Sequence, residues 1–257
     1  QDQEESQRYE RLITLVLRLQ TSQMLHLFRI MDADHQKKEE FKEISDQFGM
    51  DWKLFDMNVN TPAVIMVSKF DHCLVDLLYR RRIGTLKMDI AAVISNHDTT
   101  REIVNRENIP FHHIPVTSDT KQDAENKIRK IIADTGAELI ILARYMQILS
   151  TDMANSYPGQ IINIHHSFLP SFKGAEPYSQ AYHRGVKMIG ATAHYVTPNL
   201  DEGPIIAQQV VPVRHDMSVE DMIGAGQEIE QSVMAKAIRA HTEHRILLNE
   251  GKTVVFD

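Results

Sequence analysis

Between Ile161 and Gly203 the chain reads IINIHHSFLPSFKGAEPYSQAYHRGVKMIGATAHYVTPNLDEG. The stretch sets an amide, three imidazoles and a carboxylate (Asn163, His165, His166, His194 and Asp201) among apolar runs. Side chains two apart on a strand share a face, so Asn163 and His165 project together from the end of a strand over 160–164, and His166 points the other way. Asp201 falls in a turn between Pro198 and Gly203, able to fold back over a strand end, with His194 near enough to orient it. An amide and a protonated imidazole can hold an oxyanion as a carbonyl carbon becomes tetrahedral, and losing one such donor costs about 2.7–4 kcal/mol. A carboxylate beside them can take a proton from water or an amine, worth roughly 10²–10⁴-fold. The set suits acyl chemistry without a covalent intermediate.

Other chemistries compete. A single histidine in a core is more often a hydrogen-bonded structural residue than a functional one. His165, His166, His194 and Asp201 are all potential metal ligands. Adjacent histidines aim to opposite faces, however, and no His-x-x-x-His or Cys-x-x-Cys spacing occurs. A serine hydrolase lacks its Gly-x-Ser-x-Gly elbow, and no phosphate-cradling glycine loop follows the first apolar strand. Spacing alone leaves metal chemistry, transfer and hydrolysis open.

The elements that must position these residues are legible as alternating apolar runs and amphipathic segments. AVIMVS (63–68), IAAVIS (90–95), FHHIPV (111–116), ELIILA (138–143) and 160–164 read as strands. Helices fall between them: Asp71 (as N-cap) to Gly84, 99–107, Lys121 to Thr135 with Gly136 as the stop, and 151–156. That alternation predicts right-handed βαβ units in a parallel sheet covered on both faces. A helix near 178–184 and strands over 188–197 and 204–213 follow, the strands as an antiparallel pair at the sheet's far side. A helix over 218–248 completes the domain, with Ile223, Ile229, Val233, Ala237 and Ile238 on its buried side. Before Pro62, strands over 9–20 and 24–31, a helix over 36–48 with Phe41, Ile44 and Phe48 on one face, and a short strand near Trp52–Met57 make a small α+β unit. The predicted boundary lies at residues 60 and 61.

The composition excludes some function classes. A net charge of −7 with pI near 6.0 argues against nucleic acid as a partner. The dense basic run Arg80-Arg81-Arg82 suits a helix C-terminus better than a polyanion. Cys73 is the only cysteine, so no intrachain disulfide forms and a reducing, cytoplasmic setting is expected. No apolar run approaches the roughly 20 residues that span a bilayer, and the polar, acidic QDQEESQRYE is unlike a signal peptide.

The motifs NIHHSFLPSFKGAEPYSQAYHRGVKMIGATAHYV and LDEGPII resemble the formyltransferase-type folate enzymes, whose pattern runs Asn-x-His, a Leu-Pro and Lys-Gly loop, His, then Asp-x-Gly. MVSKFDHCLVDLLYR, FHHIPVT and ILARYMQILS narrow the resemblance to the branch that hydrolyses formyltetrahydrofolate, and it spans residues 62–257. The resemblance implies a mostly parallel, Rossmann-like sheet flanked by helices. It implies hydrolysis of 10-formyltetrahydrofolate to formate and tetrahydrofolate, serving purine biosynthesis and one-carbon balance, with no metal or cofactor. Asn163, His165 and Asp201 match the catalytic trio, supported by His194. Arg144, Tyr145, Met146, Gln147, Ile148 and Leu149 match one wall of the pterin pocket, and Thr197, Asn199 and Leu200 fall on the other. Where the transformylases hold the acceptor's phosphate on a glycine-rich loop, this chain reads Ser68-Lys69-Phe70-Asp71-His72, which implies water as acceptor rather than an amine. Residues 1–60, including FGMDWKLFD, resemble an incomplete ACT domain: the Asp-x-Pro-Gly turn and first helix of such modules are missing. ACT modules imply an amino-acid effector and a homo-oligomer, dimer or tetramer.

Overall fold

The computed structural model describes residues 58–170, 177–249 and 251–256, and before them only 26–27, 42–43, 45–47, 52–53 and 55. The chain divides into two units, Gln1–Asn58 and Val59–Asp257. Of the first, His26–Leu27 pairs in parallel with Trp52–Lys53, and residues 42–43 and 45–47 are helical. Phe55, within the strand expected near Trp52–Met57, is not in a strand; the rest of the strands and helix expected there, and residues 171–176, lie outside the described residues.

The second unit is built on a seven-stranded sheet: β1 Thr61–Val67, β2 Met88–Ser95, β3 Phe111–His113, β4 Leu139–Leu142, β5 Ile161–His165, β6 Met188–Tyr195 and β7 Ile205–Pro212. The spatial order is β3-β2-β1-β4-β5-β6-β7. Neighbours from β3 through β5 are parallel, and β5–β6 and β6–β7 are antiparallel. Helices α1 His72–Arg82, α2 Arg101–Arg106, α3 Lys121–Thr135 and α4 Thr151–Ser156 link the parallel strands, α5 Pro177–Arg184 precedes β6, and α6 Val219–Thr242 follows β7. The strand order reverses between β1 and β4, and open α/β sheets bind ligands beyond the carboxyl ends of strands at such a reversal.

The apolar run of β1 is explained by burial on both faces. Ala63, Ile65 and Val67 pack with Leu74 and Leu77 of α1 and Val233 and Ile238 of α6. Val64 and Met66 pack on the opposite face with Ile128 and Ile132 of α3 and Met153 of α4.

Helix ends follow local chemistry. Gly136, in the left-handed conformation, stops α3. Ser218 opens α6 with a capping box to Asp221. Asp71 takes the N-cap position of α1, but its side chain makes no capping hydrogen bond. Arg80 pairs with Asp76, and Arg82 pairs with Glu107, at the end of α1.

Two expectations need correction. The last helix ends at Thr242, not 248; His244 turns into the left-handed region, and Ile246–Asn249 and Lys252–Val255 form an antiparallel hairpin around Gly251. Ile223, expected on the buried side of that helix, is exposed, whereas Met222 beside it is fully buried against Tyr178 and Ala181.

Candidate active site

Antiparallel pairing of β5 with β6 places Asn163 directly opposite His194. A register shift between Ala193 and His194 in the β6–β7 pairing re-aims the end of β6. The His194 ring is oriented from both nitrogens: Nδ1–H donates to the Tyr195 carbonyl at 2.9 Å, leaving Nε2 to accept from the Asn163 carboxamide at 3.2 Å. Burial depresses the His194 pKa, outweighing the hydrogen bond to the Tyr195 carbonyl and the nearby Asp201 carboxylate, so the ring is neutral and Nε2 remains an acceptor. Asn163 is thereby held with a second N–H left for a ligand.

Asp201 adopts a left-handed backbone (φ 56°), a conformation short polar residues tolerate. Its Oδ2 lies 3.3 Å from His165 Nδ1, and its Oδ1 3.8 Å from His194 Nε2. His194 thus orients Asn163 by a hydrogen bond and meets Asp201 only at longer range. Burial pushes the Asp201 pKa up, but the hydrogen bond from His165 and the field of that imidazole, followed by those of His194 and His166, outweigh it. The carboxyl is held below its usual value of 3.8 and is ionised at neutral pH. His165 is buried, and with Nδ1 facing Asp201 its Nε2 has no hydrogen-bond partner among the described residues. A buried nitrogen without a partner demands an explanation, and a reacting group is one.

These side chains share a cleft of about 300 Å³ with every residue of the two loops singled out in the sequence: Arg144 to Leu149 on one side, Thr197, Asn199 and Leu200 on the other. Met146, Ile148 and Leu200 are exposed large apolar residues at its wall, a lining suited to a flat, largely apolar ligand. The trio therefore stands at the end of an apolar slot.

Residues 62–238 match the formyl transferase family. The formyltetrahydrofolate deformylase of Corynebacterium sp. (strain P-1) is 52% identical over 218 residues, covering 85% of this chain and 76% of that one. The solved structure of a formyltetrahydrofolate deformylase from Pseudomonas putida KT2440 superposes with a TM-score of 0.81 at 49% identity, over 89% of this chain and 82% of that one. This chain belongs to the formyl transferase family, on its formyltetrahydrofolate deformylase branch. Glycinamide ribonucleotide transformylase 1 from Symbiobacterium toebii shares the fold at a TM-score of 0.73 and 29% identity, over 80% of this chain and 98% of that one.

The loops of this formyl transferase domain are pinned from below. At the end of β1, the Ser68 N–H donates to the Arg144 carbonyl at 3.2 Å. The Ser68 hydroxyl donates to Asn96 Oδ1 at 2.7 Å and accepts the Met146 N–H at 2.9 Å. At the loop's other end, buried Glu125 accepts the Ser150 N–H at 2.7 Å and the Ser150 hydroxyl as well. Across the cleft, the turn that carries Asp201 closes through Gly203, where a Cβ would fall 1.7 Å from the Tyr195 carbonyl oxygen.

Three findings lie beyond the sequence reading. His166, expected to face away, lines the cleft, its ring centroid 5.3 Å from that of His165; β5 ends at His165, so strand alternation no longer governs it. Behind the cleft, buried Glu230 of α6 gathers His72 Nε2 at 2.8 Å, the Tyr178 hydroxyl at 2.8 Å and Arg144 Nε at 3.5 Å. Tyr178 passes over Gly226, where a Cβ would meet it at 2.2 Å. The signal was available: Glu230 interrupts the apolar stripe of α6 one position after Ile229. Among the described residues, the set of three side chains close enough to hold a metal is His72, Cys73 and Glu230, and not the trio. The Arg144 guanidinium 3.5 Å from Glu230 stands against a cation there.

Proposed function

We propose that this chain hydrolyses 10-formyltetrahydrofolate to formate and tetrahydrofolate. The observation that carries this reading is the His165–Asp201 pair at the end of an apolar slot, with His165 Nε2 buried and unpartnered. The relatives at 52% and 49% identity are named formyltetrahydrofolate deformylases, whereas the named transformylase stands at 29%. The pterin lies between loops 144–149 and 197–201, presenting its N10-formyl group to the trio.

Ionised Asp201 takes a proton from water as the oxygen attacks the formyl carbon. The second N–H of Asn163 and the Nε2–H of protonated His165 stabilise the oxyanion. Collapse breaks the C–N10 bond as His165 protonates the departing nitrogen; Asp201 then passes the proton it took from water to His165, and the formic acid released gives formate and a proton to solvent. The chain's own side chains supply each proton and each oxyanion contact, and the folate is the substrate. His194 supports Asn163. An amino-acid effector at an ACT-like domain over residues 1–60, a dimeric or tetrameric assembly and a cytoplasmic location complete the proposal.

The test is formate release by the purified full chain, with and without an aminoribosyl phosphate acceptor. Asp201→Asn is expected to lower turnover by roughly 10²–10⁴-fold. Undiminished turnover removes Asp201 as the base, and loss of the formyl group accelerated by the acceptor replaces hydrolysis with transfer.

A further inference from the structure

Among the described residues that line the cleft, Arg144 alone carries a permanent positive charge and Asp201 alone is a carboxylate. The Arg144 side chain is only 9% exposed and springs from a left-handed backbone, φ 63°, a costly conformation for a long side chain. Its Nε and Nη1 are buried and, among the described residues, have no hydrogen-bond partner.

The neighbouring carboxylate does not use that capacity. Arg144 Nε lies 3.5 Å from Glu230 Oε2, past the 2.7–3.2 Å usual for N–H···O bonds. Glu230 is instead taken up by His72 on Oε2 and Tyr178 on Oε1, each at 2.8 Å. The guanidinium also stacks over the Phe70 ring at 5.2 Å. Its charge is thus balanced at a distance while its donors remain unspent. A buried arginine in this state is matched to a ligand with carboxylate-type oxygens. His166 does not supply a competing cation, since burial, followed by the charge of Arg144, drives its pKa down to about 3.

Hydrolysis of a formamide creates such a ligand. Once Asp201 has given up the proton it took from water and is ionised again, the product carboxylate stands beside it, and two like charges repel. We propose, resting on the hydrolysis reading above, that Arg144 is the subsite for formate, receiving the small carboxylate and drawing it off Asp201. Glu230 weakens that hold by sharing the cation's field, so the product is captured and then released.

Sodium [¹³C]formate is titrated into the full chain, with binding followed by its carbon resonance and ionic strength held constant with sodium chloride. Formate is also measured as a product inhibitor. Arg144→Gln is expected to weaken formate affinity tenfold or more and to raise its inhibition constant in step. Glu230→Gln is expected to tighten formate severalfold. Equal formate affinity in the parent and Arg144→Gln, or displacement of formate by chloride at equal concentration, overturns the proposal. Should Arg144→Gln fail to fold, Glu230→Gln decides: unchanged or weaker formate binding overturns it. Binding does not require turnover, so the two readings separate. Arg144-dependent formate binding without hydrolysis sinks only the reaction, and hydrolysis with Arg144-independent formate binding sinks only the subsite.

Discussion

Asn163 and His194 sit on adjacent strands, and each is useful only through the other. The carboxamide of an asparagine can rotate freely unless one end is fixed. Here Nε2 of a neutral His194 fixes it, because the ring's other nitrogen is spent on the Tyr195 carbonyl. Removing the proposed oxyanion donor in Asn163→Ala should cost about 10²–10³-fold in kcat. Removing its holder in His194→Ala should cost less and act through the same contact. The double variant should therefore lose clearly less than the product of the two single losses, the non-additivity expected of residues that work as a unit. Steady-state kinetics on the three proteins measures it, and strictly multiplicative losses would show that His194 acts independently of Asn163. This pairing was invisible in the sequence, where His194 was assigned to Asp201: a 31-residue separation says nothing about cross-strand register. The types and the common location of Asn163, His165 and Asp201 were legible, because polar groups at the ends of apolar strands have few other reasons to be there. Arg144 was legible as a position but not as a side chain, since its neighbours Phe70 and Glu230 come from the segment before α1 and from α6.

The two walls of the cleft are held by different devices, which makes them separable. The wall after β4 rests on Ser68, whose hydroxyl and N–H together meet Asn96, Arg144 and Met146. Ser68→Ala keeps the N–H contact but leaves buried partners of the hydroxyl unsatisfied, at about 1–3 kcal/mol. Because that loop lines the cleft and carries no member of the trio, the expected result is a KM raised roughly tenfold with kcat changed little. The wall after β6 rests on Gly203, whose missing Cβ admits the Tyr195 carbonyl. In Gly203→Ala the methyl meets main chain rather than a flexible tip, so the turn must open and carry Asp201 away from His165. A kcat loss of 10²-fold or more is expected with a smaller effect on KM. Both variants need only initial-rate measurements, and equal KM and kcat effects in each would mean that the walls move as one body. Elements of this kind were readable where one periodicity dominated, as in α3, where helix and stop residue agree with Lys121–Thr135 and Gly136. They were misread where two signals overlapped. The residues after Thr242 continue an apolar helical pattern, but Asn249-Glu250-Gly251-Lys252 also suits a hairpin turn between ILLN and KTVV. Docked against the folded domain, the hairpin wins.

Across the whole molecule, several imidazoles are held in the neutral form by burial, and this couples stability to acid. His166 is driven to about 3, chiefly by burial and then by Arg144, and His241 to about 4, by burial and then by His244. His194 and His244 are lowered as well, again with burial as the leading cause. His241 illustrates the design: its Nδ1 accepts the Tyr195 hydroxyl at 2.7 Å, a bond that requires an unprotonated nitrogen. Burial pushes the Tyr195 pKa up, so that hydroxyl keeps its proton to donate. The sign follows from linkage. The unfolded chain binds these protons near the ordinary value of 6.5, the folded chain only at lower pH, and stability falls wherever the unfolded state binds more protons. The contribution is therefore full above 6.5 and is lost progressively as the pH drops toward the folded values. Carboxylates with depressed pKa values, Asp201 and Glu230 among them, lose stability in the same direction. Their loss begins only near their ordinary values of 3.8 and 4.5, so of these described groups the histidines act between pH 6.5 and 5. Thermal melts of the full chain should accordingly show Tm level from pH 8 to 7 and declining steadily from 6.5 to 5. His241→Gln, which offers an amide oxygen to Tyr195 and cannot titrate, should make that decline shallower. A Tm that stays level from pH 7 down to 5, or a slope unchanged in His241→Gln, would mean that these rings are hydrated in solution.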